Sequence, residues 1–144
     1  SIVLCYTVKA KDFEHAGEAS TRFKRSLQNL GVSPQVLRRV AIATYEAEMN
    51  VVCYANRGKF YLAIAPDHLK IVVEDEGQGI ADIDLAMQEG FSTSDSSIKE
   101  MGFGAGMGLS NMKKNSDQIL IESNKDQGTV VRMIFFLPEG GKTD

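Results

Sequence analysis

The stretch SPQVLRRVAIATYEAEMNVVCYANRG, from Ser33 to Gly58, constrains this chain most. Ser33 offers an N-cap and Pro34 a first-turn proline, so a helix starts here, and its pattern predicts that it runs until Gly58. The helix is mostly apolar and so must be mostly buried, which requires other elements around it.

The rest of the chain supplies them. IVLCYTV (2–8) reads as a strand. Phe13, Ala16, Ser20, Phe23, Leu27 and Leu30 recur at three- and four-residue spacing and predict an amphipathic helix over 12–30, closed by Gly31. FYLAIA (60–65), the turn Pro66-Asp67-His68 and LKIVVEDEG (69–77) form an antiparallel hairpin. Residues 81–107 are rich in Gly, Ser, Asp and Met, with a short helix at DIDLAMQE. LSNMKKN (109–115) is a third helix, and QILIES and TVVRMIFFL are strands joined by NKDQG. The order predicts an α+β, two-layer sandwich: a mixed, mostly antiparallel sheet covered on one face by helices.

A length of 144 residues suits one domain over 1–144. A net charge of -3 leaves no broad basic footprint, which argues against nucleic acid or an anionic membrane as the main partner. Cys5 and Cys53 show no metal or disulfide spacing and read as reduced, cytoplasmic thiols. No run is long enough to span a bilayer, and the N-terminal SIVLCYTVKAKD lacks a leader pattern. The start at Ser1 rather than Met leaves room for a longer parent protein.

Three places could carry chemistry. Glu46 and Asn50 lie about 40° apart on the long helix, and Cys53 and Arg57 share their stripe if the helix extends that far. Such a pair is often only a solvated edge. Glu48 projects about 160° away from Asn50 and reads, with Arg38 and Arg39, as solvated. Asp75 ends a strand and is followed by Gly77 and Gly79, which is either an ordinary turn or a close approach to a flat ligand. GFGAGMGL (102–109) then alternates glycine into a helix, either as a plain loop or as a cradle for a bulky anion.

The order and spacing of these signals resemble the GHKL ATP-binding superfamily, whose members include DNA gyrase, heat-shock chaperone ATPases, mismatch-repair ATPases and sensor histidine kinases. EAEMN is similar to its N box, DEGQGI to its first glycine box, GFGAGMGL to its second and GTVV (128–131) to its closing Gly-Thr. The resemblance spans residues 36–135 and implies a Bergerat-type fold. The small size and GIADIDLAMQEGFST look most like bacterial anti-sigma regulatory factors and related serine-protein kinases, including the stress switch-kinase branch.

The resemblance implies ATP and Mg²⁺ as cofactors. Asp75 would accept from the adenine amino group, the Gly77 and Gly79 backbone would line the base pocket, and Thr129 would add a polar contact behind it. Asn50 would hold Mg²⁺ and Arg57 would contact phosphate. Gly104, Gly106 and Gly108 would aim backbone amides at phosphates, with Ile80, Met107 and Leu109 in the same two boxes. Residues 81–107 would form the ATP lid, which SDSSIKEM (94–101) lengthens relative to the family pattern. Glu46 would be the catalytic base.

The implied function is an ATP-binding serine-protein kinase or anti-sigma-type factor that phosphorylates a STAS-domain protein. The partner-switching branch also allows a sigma factor as partner, and a homodimer. One alternative is a non-catalytic, nucleotide-gated regulator. Another is the catalytic domain of a sensor histidine kinase, against which His15 lacks a phosphoacceptor pattern.

Overall fold

The computed structural model describes residues 2–77, 108–124 and 128–138. The elements are β1 (Ile2–Lys9), α1 (Glu18–Asn29), α2 (Pro34–Tyr54), β2 (Ala55–Ile64), β3 (His68–Gly77), α3 (Gly108–Asn115), β4 (Gln118–Asn124) and β5 (Gly128–Phe136). They form a five-stranded sheet in the order β1-β2-β3-β5-β4. Every neighbouring pair among the described residues is antiparallel, so the parallel pairing of a mixed sheet does not occur there.

Alternation along the strands decides which face is covered. Leu69, Ile71 and Val73 of β3 and Val131, Met133 and Phe135 of β5 are buried beneath the helices, while their neighbours turn to the open face. α2 lies between α1 and α3 and packs on the sheet through residues such as Val40, Ala47 and Val51. Phe23 and Leu27 of α1 are almost fully buried. Each contributes about 1.5–3 kcal/mol by burial, more than an exposed ion pair does, so apolar packing sets the position of α1.

Several boundaries differ from the sequence pattern. The helix expected over 12–30 is two pieces: a 3-10 turn at Phe13–His15, then α1 from Glu18. Gly17 stands between them at φ 97°, in the left-handed region that favours glycine. The long helix does not reach Gly58; α2 stops at Tyr54, where Ala55 is extended. Sheet pairing overrides the helical pattern there, because β1 and β3 offer partners down to Lys9 and Gly77. The chain then folds straight back beneath α2, and a Cβ at Gly58 would sit 2.6 Å from a Val51 methyl. Arg57 is therefore a β2 residue rather than part of the Glu46–Asn50 stripe.

Candidate functional site

The site begins on the α3 side of α2. Ser33 Oγ accepts from the Val36 N–H and fixes the register at the start of the helix. Glu46 and Asn50, one turn apart, both meet α3. Asn111 Nδ2 donates to Glu46 Oε1 at 3.3 Å, and a Cβ added to Gly108 would lie 3.0 Å from Asn50 Oδ1. Glycine at 108 is thus what leaves space beside the Asn50 amide.

A tether at the far end of α3 keeps this arrangement in place. Arg39 Nε donates to the Asn115 carbonyl at 3.1 Å, and its guanidinium pairs with Asp117 at 3.0 Å. Asp117 in turn accepts from the Phe136 N–H at 2.7 Å. Arg39, expected on a solvated face, is instead the link between α2 and the α3–β4 junction.

Asp75 approaches from the sheet. It shares the helix-covered face with Val73, since its register partner Gly58 lies beneath Val51. Its Oδ1 accepts from the Thr129 N–H at 3.1 Å. Burial pushes its pKa up to about 6, against the lowering effect of that hydrogen bond. Thr129 is itself held by a 2.8 Å hydroxyl contact with Ser123. Gly128 makes the approach of β5 to β3 feasible: it has φ 88°, and a Cβ there would fall 2.2 Å from the Asp75 carbonyl oxygen. At Gly77 a Cβ would be 3.2 Å from Ala55 and 3.3 Å from Asp75 Oδ1.

The structure thus brings Glu46 against Asn111 and Asn50 against Gly108 on α3, and groups Asp75, Gly77 and Thr129 at one end of β3. Leu109 is buried and packs into the core from the first turn of α3. Arg57 is not brought to either group. It pairs with Glu76, both side chains are well exposed, and they occupy the open face of the sheet, opposite to Asp75. Gly79, Ile80, Gly104, Gly106 and Met107, the lid over 81–107 and the helix at DIDLAMQE lie outside the described residues.

Sequence reasoning missed three contributors. Asn111 is one turn into LSNMKKN, and its placement opposite Glu46 depends on how α3 docks. Ser123 is a strand residue whose role appears only through its pairing with Thr129. Glu48, read as solvated, is fully buried: it accepts from the N–H groups of Gly17, Ala19 and Ser20 at 3.0, 3.1 and 2.7 Å. It closes the N-terminus of α1, where unpaired N–H groups favour a carboxylate. Burial raises its pKa, and the three backbone donors oppose that rise.

The chemistry of these groups suits an oxygen-coordinated divalent cation and a ligand that donates a hydrogen bond to a carboxylate. Asn50 offers an amide oxygen and Asp75 a carboxylate in a partly dry recess. No cluster of three or more metal-ligating His, Cys, Asp or Glu residues occurs among the described residues, so any cation would depend on Asn50 together with phosphate oxygens and water.

The chain is 32% identical over 114 residues to the serine/threonine-protein kinase RsbT of Bacillus subtilis, covering 76% of this chain and 80% of that protein. It is 33% identical over 103 residues to an anti-sigma F factor of Caldanaerobacter subterraneus, covering 68% of each. Among solved structures, the mycobacterial sensor histidine kinase MprB shares the fold with a TM-score of 0.54 at 16% identity, over 92% of this chain and 97% of that one. Residues 10–135 match the family described as the histidine kinase-like ATPase domain. The chain belongs to the histidine kinase-like ATPase domain family.

Proposed function

We propose that this protein is a cytoplasmic, ATP-dependent serine kinase of the partner-switching type, acting on a serine of a STAS-domain protein. The observation that carries the reading is the meeting of Glu46 and Asn50 with α3, a carboxylate and an amide oxygen side by side at the helix that follows the glycine run. The identities to RsbT and to an anti-sigma F factor support it.

In this reading Asp75 accepts from the adenine amino group, and Thr129 and Gly77 hold that carboxylate in place. Asn50 contributes its oxygen to Mg²⁺, which would neutralise phosphate charge during transfer. Gly108 keeps a side chain away from Asn50. Glu46 takes the proton from the attacking serine hydroxyl or orients it, and Asn111 fixes the carboxylate's rotamer. The placement of Arg57 on the open face gives no support to a phosphate contact from it.

The test is incubation of the protein with ATP, Mg²⁺ and a STAS-domain protein, followed by mass spectrometry of both chains. Acid-stable phosphoserine on the STAS protein is the expected product. ATP binding without transfer would favour the nucleotide-gated regulator, and phosphohistidine would favour a histidine kinase.

A further inference from the structure

Three strands contribute one polar row to the helix-covered face of the sheet. Asp75 on β3 is the register partner of Thr129 on β5, and Thr129 is in turn the partner of Ser123 on β4. The next two rows on that face are apolar throughout: Val73, Val131 and Ile121, then Ile71, Met133 and Ile119. Directly opposed side chains of antiparallel strands stand about 4.5–5.5 Å apart, so the row sets Thr129 between a carboxylate and a second hydroxyl. Thr129 is buried and Ser123 half-buried, where the direction of each hydrogen bond matters more than it does in water.

The contacts in this row fix which way the hydroxyl protons point. Ser123 Oγ donates to the Gly128 carbonyl at 3.2 Å, and a carbonyl can only accept. A serine hydroxyl has one proton, so both of its contacts are satisfied only if the 2.8 Å bond between Ser123 and Thr129 has the Thr129 hydroxyl as donor. Asp75 Oδ1 accepts from the Thr129 N–H at 3.1 Å, which leaves the threonine hydroxyl proton for Ser123. With its proton directed at Ser123, Thr129 Oγ1 has lone pairs only and can accept but not donate.

We propose that Ser123 is a positioning residue that sets base specificity: by taking the Thr129 proton it makes Thr129 a second acceptor beside the Asp75 carboxylate, so the recess selects a purine with an exocyclic amino group over one with a carbonyl there. The inference rests on the nucleotide reading above and adds to it a residue that lies outside the stretches resembling the family motifs. An amino group has two protons and can serve both acceptors. A purine carbonyl in the same place meets two acceptors and leaves both without a donor, a mismatch that discriminates between otherwise similar ligands. Ser123 touches no nucleotide in this scheme and acts through Thr129 alone.

The test compares ATP with inosine triphosphate, whose base differs from adenine only in carrying a carbonyl for the amino group, with the ring proton that goes with it. Calorimetric titration of the full chain in Mg²⁺ gives the ratio of the two affinities. Ser123→Ala frees the Thr129 proton to turn toward the ligand, so the preference for ATP should fall about fivefold, carried by tighter inosine triphosphate. Ser123→Thr keeps the hydroxyl and should keep the wild-type ratio. Thr129→Val removes the acceptor, should lower the ratio by a similar factor, and should cancel the effect of adding Ser123→Ala. The proposal is overturned by an unchanged ratio in Ser123→Ala or in Thr129→Val, and by an equal loss of both nucleotides in Ser123→Ala, the mark of a merely structural hydroxyl. A further fall when Ser123→Ala is added to Thr129→Val also overturns it, and if Ser123→Ala does not fold, the Thr129→Val ratio decides. Wild-type binding of neither triphosphate would instead overturn the nucleotide reading itself, and this inference with it.

Discussion

Glu46 and Glu48 stand two residues apart on α2 and face opposite neighbours. Glu48 is sealed, with three backbone donors from the start of α1 and no exposure. Glu46 is only half-buried, and among the described residues it accepts from Asn111 at 3.3 Å. The first carboxylate is spent on holding two helices together. In the proposed function the second is the catalytic base, a role that needs capacity for a substrate proton. One helix thus separates a clamp on its α1 side from the proposed reactive edge on its α3 side.

The sharpest way to break this contrast is to exchange the effects of the two residues. Glu46→Gln should reduce phosphate transfer by about a thousandfold, within the usual range for a lost general base, while melting temperature and ATP affinity stay near wild type. Stopped assays of labelled phosphate on the acceptor, with calorimetry alongside, check both halves. Glu48→Ala should do the reverse: it strands three N–H groups at the head of α1 and costs about 3 kcal/mol of stability, read by denaturant unfolding. Transfer per folded molecule should change little in that variant. A fall in transfer without loss of stability would put Glu48 on the reactive side.

Asp75 adds a smaller effect with a distinct pH signature. Its folded-state pKa of about 6 lies above its ordinary 3.8, so the folded chain holds more protons than the unfolded one between those values. The contribution of this residue to stability therefore declines as pH rises through that window. Asp75→Asn should remove that slope and raise the melting temperature above pH 6, while weakening ATP by about 2 kcal/mol through loss of a charged acceptor. Thermal scans from pH 4 to 8 and calorimetry on the same preparations test the two signs together. Arg57→Ala should have the smallest effect, below about 0.5 kcal/mol in stability and none in ATP affinity, since its pair with Glu76 is exposed on the opposite face. Weakened ATP binding in that variant would return Arg57 to the site.

Much of this fold is legible in the sequence. Apolar runs and period-three-to-four patterns locate β1, β3, β4, β5 and the bodies of α1 and α2, because each element buries one face and the sequence records it. The i, i+4 spacing of Glu46 and Asn50 and the strand-end position of Asp75 are readable in the sequence because all three lie on regular elements, while their roles come from the family resemblance. Glu48 was misread because its burial depends on backbone donors about thirty residues away, and a carboxylate buried against a helix end has no local pattern. The end of α2 was misplaced because Ala55 to Arg57 are compatible with a helix, and only pairing with β1 and β3 makes them a strand. Gly128 stands in a recognisable Gly-Thr motif, yet its reason, a carbonyl 2.2 Å from a hypothetical Cβ, belongs to tertiary structure alone.

The most direct test of the central claim, that the α3 side of α2 and the end of β3 form an adenine nucleotide site, is calorimetric titration of the wild-type chain with ATP and with GTP in the presence of Mg²⁺. The account predicts saturable binding of ATP and at least tenfold weaker GTP, because the Asp75 carboxylate accepts from the adenine amino group and would face the guanine carbonyl oxygen instead. Equal binding of the two nucleotides would contradict the role of Asp75, and no binding of either would contradict the nucleotide site itself.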